Sequence, residues 1–201
     1  MPADAPAPEG PRQRAFFALW PTQAATRRLA CHATDLAREL EGRATRPASI
    51  HLTLAFLGDV PTAVLERVMH PPRTVCVPPF ELVLDRLGVW DHNGIGWAAP
   101  STPPEGLLLL QHRLADWLAG CGLRLESRRF APHVTLVRRS RRSMPERAIT
   151  PVAWRVGEMR LVRSDRDALG AVYRTLTRTV LGMPAPGDNA GIGQQSGGVP
   201  S

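Results

Sequence analysis

The spacing of apolar residues along the chain alternates between the period of two that is typical of strands and the period of 3.6 that is typical of helices. The clearest helical pattern follows two prolines at 103 and 104, where leucines and a tryptophan recur on one face between residues 107 and 118. In chain order, the pattern predicts a strand over residues 14–20, a helix capped by residue 22 and ending near 42, a strand over 49–57 that ends at Gly58-Asp59, a short helix over 62–70, strands over 80–90 and 95–99, a helix after 104 that ends at 120 or 122, and strands over 132–138, 154–164 and 171–181. Hairpins alternate with helical crossovers in this order, which predicts an α+β fold rather than a doubly wound parallel sheet.

Two terminal segments differ in composition from the region between them. The first 13 residues are rich in proline and alanine, and residues 184–201 are rich in glycine, proline, serine and glutamine. Segments with so few large apolar side chains cannot bury enough surface to fold, so we predict that residues 1–13 and 184–201 are disordered. The folded part then covers residues 14–183, which is long enough for one compact domain or two small lobes.

All 25 basic residues of the chain are arginines, and lysine is absent. This absence excludes a lysyl-nucleotide intermediate, as in ATP-dependent nucleic-acid ligases, and it excludes Schiff-base catalysis. It also excludes a P-loop, in which a lysine contacts the phosphates. The formal net charge of +7 suits a polyanionic partner such as a nucleic acid.

The sequence pattern is typical of a protein that is neither secreted nor inserted in a membrane. The longest apolar run, residues 107–110, is far shorter than the roughly 20 residues that cross a bilayer, and the N-terminal segment lacks the apolar core of a signal peptide. The spacing of Cys31, Cys76 and Cys121 matches neither a disulfide framework nor a zinc site. We therefore expect a cytoplasmic protein with reduced thiols and, because the helices show no obvious dimer surface, a monomer.

One four-residue pattern occurs twice, with the copies separated by 133 − 51 = 82 residues. The copies are His51-Leu52-Thr53-Leu54 and His133-Val134-Thr135-Leu136, and each falls in a predicted strand. Because side chains of a strand alternate between its faces, each copy places histidine and threonine on one face and apolar anchors on the other. Two copies in similar strands indicate two related halves whose motifs could meet across a cleft.

Paired histidine and threonine side chains suit the cleavage of a phosphodiester. Imidazole titrates near pH 6.5, so one neutral and one protonated ring can act as base and acid in the same site. Threonine hydroxyls can donate hydrogen bonds to phosphate oxygens, where negative charge develops. A metal site is the alternative interpretation of His51 and His133, but no carboxylate or thiolate in the same motifs completes a ligand set. The histidines at 32, 70, 92 and 112 fall on predicted helices, at a helix end or in a turn, and we interpret them as structural.

The residues around the motifs resemble those of a known family. The shared segments are Phe16-Phe17-Ala18-Leu19, His51-Leu52-Thr53-Leu54-Ala55-Phe56-Leu57-Gly58 and Phe130-Ala131-Pro132-His133-Val134-Thr135-Leu136. In this order they resemble the bacterial and archaeal RNA 2′,3′-cyclic phosphodiesterases, historically called 2′-5′ RNA ligases, of the two-histidine phosphoesterase superfamily. The resemblance extends over about residues 14–181, nearly the whole of the predicted folded part.

The resemblance implies both a fold and a reaction. The fold would be bilobal, with two antiparallel sheets around a central cleft and helices on the outside. The reaction would be hydrolysis of a 2′,3′-cyclic phosphate at an RNA end to a 2′-phosphomonoester, with no metal and no other cofactor. In that reaction His51 would protonate the departing 3′-oxygen and His133 would activate water, while Thr53 and Thr135 would hold the phosphate.

The resemblance also implies substrate contacts outside the two motifs. The family places a basic residue shortly after the second motif, and Arg138 occupies that position. Strict alternation would instead place Arg139 on the face of His133, unless a bulge intervenes. Phe17 is a candidate for stacking on a base, with a position in the core as the alternative. The chain departs from the family at Ala18-Leu19-Trp20-Pro21, because the family usually carries an acidic residue before the Leu-Pro that follows its first strand.

Three other functions are compatible with the same residues. A sister enzyme of the superfamily could act on linear 2′-5′ oligonucleotides or on small cyclic nucleotides. A non-catalytic RNA-binding module could keep the basic cleft, although binding alone would not require two imidazoles. Ligation of 2′-5′ bonds would replace water by an RNA 5′-hydroxyl, and we expect it to be a minor side reaction because water at ~55 M competes with that hydroxyl.

Overall fold

A computed structural model describes residues 10–125, 129–167 and 170–182 of the chain. The helices and strands, in chain order, are β1 (Arg12–Leu19), α1 (Gln23–Glu39), β2 (Arg43–Ala44), β3 (Leu52–Pro61), α2 (Thr62–Arg67), β4 (Phe80–Trp90), β5 (Ile95–Ala99), α3 (Glu105–Gly120), β6 (Val134–Arg138), β7 (Arg147–Val156), β8 (Glu158–Asp167) and β9 (Gly170–Val180). Short 3-10 turns cover Pro47–Ser49 and Arg73–Val75. The α+β class predicted from the sequence is confirmed.

Most predicted elements are present with small shifts of their ends. Strands β4 and β5 have the predicted bounds, and α1 begins after Thr22, whose hydroxyl accepts a hydrogen bond from the backbone N–H of Ala25. The predicted disordered N-terminal segment ends too late, because Arg12 and Gln13 already pair with β3. The rest of that segment, residues 1–9, and the predicted C-terminal tail lie outside the described residues.

Two strand predictions were wrong in part, and one short strand was not predicted. The strand predicted over 154–164 is two strands, β7 and β8, which are separated at Gly157. The first half of β7 contains Pro151, and a proline argues against a strand because it lacks the N–H that pairs with a neighbouring strand. The structure accommodates Pro151 because β7 is an edge strand and its pairing with β4 is irregular at this point. Strand β3 continues past Gly58, which adopts a positive φ, and β2 is too short to leave a periodic signal.

All strand pairs are antiparallel, and the nine strands form one hydrogen-bonded sheet with two distinct halves. The first half-sheet has the order β3-β1-β8-β9, and the second has the order β6-β5-β4-β7, with β2 paired to β6. In the described part of the chain, one residue pair, Leu52 with Val134, joins the halves through β3 and β6. The two antiparallel sheets expected around a cleft are therefore two halves of one sheet, joined at this narrow junction.

The helices pack so that they bind the two half-sheets together. Helix α1 follows β1 of the first half-sheet but contacts β6, β2 and β7 of the second, whereas α3 contacts both β3 and β4. The apolar faces of α1 and α3 enter one core that contains residues of both half-sheets. No helix within the described ranges is long and apolar enough to cross a bilayer.

Candidate active site

The two histidine motifs meet at the junction of the half-sheets. His51 and His133 each stand one residue before the strand, β3 or β6, in which the sequence pattern placed them. Leu52 pairs with Val134 in an antiparallel ladder. In such a ladder the neighbours on either side of a pair face one another, so His51 lies across from Thr135 and His133 lies across from Thr53. The register thus places the four side chains predicted to act together at the junction of the two half-sheets.

Both imidazoles are anchored in the same way. Nδ1 of His51 lies 2.8 Å from the carbonyl oxygen of Ser49, and Nδ1 of His133 lies 2.8 Å from the carbonyl oxygen of Ala131. A carbonyl oxygen only accepts hydrogen bonds, so Nδ1 carries a proton in both rings. This leaves Nε2 of each ring as the nitrogen that can gain or lose a proton.

Both motif strands carry a β-bulge directly after the threonine. The ladder of β1 with β3 skips Leu54, and the ladder of β5 with β6 skips Leu136. Each extra residue reverses the alternation of side chains beyond it, so Phe56 and Arg138 return to the face of the histidine and threonine. These two residues are separated by the same 138 − 56 = 82 positions as the motifs.

The bulge in β6 determines that Arg138, and not Arg139, lies on the same face of the strand as His133. Arg138 lines a cavity together with His51 and Thr53, and its charge lowers the pKa of both histidines, so it lies within electrostatic range of both rings. Arg139 also lines this cavity, but it reaches it through a backbone φ of 57° rather than through strand alternation.

Two adjoining cavities form the cleft, and Thr53 and Phe56 line both of them. The first has a volume of about 530 Å³ and contains His51, and the second has a volume of about 390 Å³ and contains His133. Five arginines line the first cavity: Arg14, Arg43, Arg46, Arg138 and Arg139. The second is more apolar, and Thr135 is half-buried and lines neither cavity in the described part of the chain.

Aromatic rings surround the two histidines unequally. The ring of His51 stacks against Phe16 and Trp20, with centroids 4.9 Å away in both cases, and Tyr173 meets it edge-on at 5.1 Å. His133 has an edge-on contact with Trp90 at 4.5 Å. The His51 ring is therefore covered by apolar surface on more sides than the His133 ring.

Burial favours the neutral form of both histidines. Desolvation lowers the pKa of His51 to about 4; its hydrogen bond to Ser49 opposes the shift, and the charges of Arg138 and His133 add to it. Desolvation also lowers the pKa of His133, against its hydrogen bond to Ala131 and with a contribution from Arg138. At neutral pH both imidazoles are thus neutral, and either can accept a proton on Nε2.

Comparison with known proteins identifies the family. Residues 20–168 match the family described as the 2′-5′ RNA ligase superfamily. The chain belongs to this superfamily. It is 34% identical to the RNA 2′,3′-cyclic phosphodiesterase of Escherichia coli (strain K12) over 127 residues, which cover 63% of this chain and 72% of that protein. The resemblance inferred from the two motifs is confirmed.

Further relatives of the superfamily support the same fold. The RNA 2′,3′-cyclic phosphodiesterase of Geobacillus stearothermophilus is 28% identical over 162 residues, which cover 72% of this chain and 49% of that protein. The crystal structure of E. coli LigT complexed with 3′-AMP superposes with a TM-score of 0.77 at 28% identity, and it covers 86% of this chain and 99% of that one. The two-histidine phosphoesterase fold is therefore shared.

One residue that the resemblance suggested for base stacking lies elsewhere. Phe17 has 0% of its surface exposed, belongs to the main core and meets Trp117 edge-on at 6.4 Å. A buried ring in the core offers no face to a nucleobase, so the core alternative is correct. Its neighbour Phe16 points to the opposite face of β1 and lines the first cavity beside His51.

Several residues that line the cleft were not predicted from the sequence. Phe56 could have been found, because it follows His51 by the same five positions by which Arg138 follows His133. Arg14, Arg46 and Tyr173 approach from other elements and carry no local signal of their position. Within the described residues, no group of three or more histidine, cysteine, aspartate or glutamate side chains could hold a metal ion.

Proposed function

We propose that this protein hydrolyses the 2′,3′-cyclic phosphate at an RNA end to a 2′-phosphomonoester, with His51 and His133 as its acid and base. The observation that carries the proposal is the matched pair of imidazoles, each with Nδ1 held by a backbone carbonyl and Nε2 left for proton transfer. The identity of 34% to an RNA 2′,3′-cyclic phosphodiesterase supplies the substrate.

The reaction needs one proton acceptor and one proton donor on opposite sides of the phosphorus. Nε2 of His133 takes a proton from water as the water oxygen bonds to phosphorus. The bond between phosphorus and the 3′-oxygen breaks, and Nε2 of His51 gives its proton to that oxygen. The product carries a 2′-phosphate and a 3′-hydroxyl, and exchange of protons with solvent restores both rings.

The negative charge of the bound substrate favours the protonated form of His51, the general acid. The cyclic phosphate is an anion, and a negative charge beside an imidazole raises the pKa of that imidazole. This opposes the lowering of the pKa by desolvation. The guanidinium of Arg138 and the hydroxyls of Thr53 and Thr135 then hold the non-bridging oxygens and stabilise the charge that develops on them.

The first experiment measures turnover of an oligoribonucleotide that ends in a 2′,3′-cyclic phosphate, in the presence of EDTA. We expect His51→Ala and His133→Ala each to lower kcat by about 10²–10⁴-fold, the usual contribution of a general acid or base. His112→Ala is the matched control, because His112 is exposed on α3 and pairs with Asp116. Wild-type protein that forms no 2′-phosphate end would refute the proposal.

A second experiment assigns the two roles. A substrate with sulfur in place of the bridging 3′-oxygen has a leaving group that needs no proton, so it should restore turnover in the variant that lacks the acid. We expect rescue of His51→Ala and none of His133→Ala. Rescue of His133→Ala instead would reverse the roles and leave the reaction itself in place.

We further propose that the enzyme is cytoplasmic, acts as a monomer and needs no metal. Turnover that is unchanged by EDTA, with light scattering that reports the mass of one chain, would support the last two points. Stimulation by added Mg²⁺ or Zn²⁺ after exhaustive chelation would contradict the metal-free mechanism.

A further inference from the structure

The first cavity carries more positive charge than the reacting group requires. Its described lining residues include the five arginines and no aspartate or glutamate, whereas Arg129 is the one arginine among those that line the second cavity. A terminal cyclic phosphate brings one negative charge. Arg14 is paired with Asp59 at 3.6 Å, and the remaining excess of guanidinium groups still attracts a ligand with several negative charges.

Three of these arginines lie on or directly after β2 and β6, beside Arg138. Arg138 lies within electrostatic range of both histidines, and β2 pairs beside it through Arg43. Arg46 follows three residues later, and its guanidinium donates a hydrogen bond of 2.6 Å to the carbonyl oxygen of Ala171 on β9, across the cavity. We call Arg43, Arg46 and Arg139 the arginine edge.

Arg139 has two properties that point to a ligand. It is one of two non-glycine residues in the described part of the chain with a positive φ, at 57°, a conformation that side chains of L-residues rarely adopt. Its guanidinium has no hydrogen bond or ion pair to any residue of the described ranges, although it lines the cavity. A strained backbone that presents an unpaired cation to a cavity is typical of a binding residue.

Aromatic rings alternate with the arginines in this cavity. Phe56 and Tyr173 line it as partly exposed rings, and the guanidinium of Arg14 lies 4.7 Å from the centroid of the Phe56 ring; Phe16 also lines it but is 3% exposed and packs on His51. Cationic groups that follow a backbone and rings that accept stacked bases are the two components of a groove for single-stranded nucleic acid. A compact polyphosphate would use the charges but not the rings of Phe56 and Tyr173.

We propose that the arginine edge binds the phosphodiesters upstream of the cyclic end, so that the preferred substrate is an oligonucleotide and not a cyclic mononucleotide. This inference rests on the proposed function and adds the direction of the strand to it. The cyclic end lies between His51 and His133, and the 5′ part of the RNA crosses β2 and the turn Pro47–Ser49.

The test compares three substrates that differ in the number of phosphates: a nucleoside 2′,3′-cyclic monophosphate, and the di- and trinucleotide with the same cyclic end, all with a 5′-hydroxyl. For wild-type protein we expect kcat/KM to be at least about tenfold higher for the trinucleotide than for the mononucleotide. Arg139→Gln and Arg46→Gln should each lower this ratio severalfold, whereas Arg139→Lys should retain most of it because the charge remains.

Arg27→Gln is the charge-matched control. Arg27 is exposed on α1 and lines neither cavity, so this variant loses one charge and should keep the wild-type ratio. Binding of a 5′-labelled trinucleotide with a 2′-phosphate end, measured by fluorescence anisotropy at several NaCl concentrations, gives a readout without turnover. The slope of log K against log salt should fall by about 0.7 in Arg139→Gln and stay unchanged in Arg27→Gln.

Each contrary result overturns a distinct statement. Equal kcat/KM for all three substrates would overturn the subsite and leave the proposed function standing. An equal loss for all three substrates in Arg139→Gln would instead place Arg139 at the reacting phosphate. Absence of all hydrolysis would refute the proposed function, and the salt slopes would still decide on the subsite. ATP that binds more tightly than the trinucleotide and is weakened by the same variant would reassign the arginine edge to nucleoside polyphosphates.

Discussion

At the scale of single residues, two chemically equivalent histidines occupy unequal surroundings. Both rings have Nδ1 bound to a carbonyl two residues earlier in the chain, so the same nitrogen is available in each. Three aromatic rings contact His51, whereas one contacts His133 in the described part of the chain. The backbone therefore sets the tautomer of both residues, and the aromatic side chains set how readily each ring takes up a second proton.

Removing the indole that stacks on His51 should move its titration. Trp20→Leu admits water to one face of the imidazole, which weakens the desolvation that lowers its pKa from 6.5 to about 4. We expect the pKa of His51 to rise toward 6.5, observed by NMR titration of its ring protons, while the pKa of His133 stays in place. Trp90→Leu is the matched variant and should raise the pKa of His133 instead. An unchanged His51 titration in Trp20→Leu would refute the role of this ring.

The pair Phe16-Phe17 shows what the sequence could not decide at this scale. A half-buried strand reveals its inner face because polar residues occupy the other face. Strand β1 is buried on both faces from Ala15 to Leu19, so no polar residue marks which phenylalanine faces the cleft. The histidines and threonines could be selected as candidate site residues, because the sequence alone shows their side-chain chemistry and their repeated pattern.

At the scale of elements, the matched bulges in β3 and β6 determine which side chains accompany each histidine. Without the extra residue Leu136, strict alternation would turn Arg138 away from His133. A bulge in this strand could be named from the sequence as a condition but not located, because a bulge depends on the pairing of β5 with β6 and not on local composition.

The variants Arg138→Gln and Arg139→Gln should differ in their effect on the pKa of the two histidines. The charge of Arg138 contributes to the lowered pKa of both histidines, so its removal should raise both values. Arg139→Gln removes an equal charge and should leave both titrations near those of the wild type. NMR titration of the two rings decides between them, and equal shifts in the two variants would contradict the assignment of Arg138 to the reacting phosphate.

A second prediction at this scale concerns β4, whose residue Trp90 contacts His133. Gly88 pairs with Trp97, and a Cβ atom at Gly88 would overlap the Trp97 ring. Trp97 contacts Trp90 at 5.7 Å, and Trp90 contacts His133. We expect Gly88→Ala to lower the free energy of unfolding by about 1–3 kcal/mol, measured by urea denaturation, and to lower turnover by displacing Trp90.

Gly120→Ala is the control for this variant. Gly120 ends α3 with nothing within 4 Å of the position of an added Cβ atom. Alanine there should leave turnover unchanged and raise the free energy of unfolding by at most about 1 kcal/mol. A Gly88→Ala protein as stable and active as Gly120→Ala would show that β4 does not position His133.

At the scale of the whole molecule, the partly buried histidines should couple stability to pH. His51 has a pKa of about 4 in the folded protein and an ordinary value of 6.5 when unfolded, so the unfolded chain binds more protons between these values. Its contribution is complete above about pH 6.5 and is lost as the pH falls toward 4, on the order of 3 kcal/mol. His133 acts in the same direction.

Urea denaturation between pH 7 and pH 4 measures this coupling. His51→Phe removes the titrating group and retains an apolar ring, so its free energy of unfolding should fall less steeply over this range than that of the wild type. Parallel curves for the two proteins would contradict the lowered pKa. His112→Phe, at an exposed site, should reproduce the slope of the wild type.

The order of strands also sets when the enzyme can first become active during its synthesis. The second half-sheet uses β4 to β7, apart from the short β2, and is available once residue 156 has left the ribosome. The first half-sheet starts with β1 and β3 but needs β8 and β9, the last strands of the described chain. Tyr173, which contacts His51, lies on β9. A nascent chain that already contains both histidines thus lacks the complete site for opening a cyclic phosphate until nearly all of the folded region has emerged.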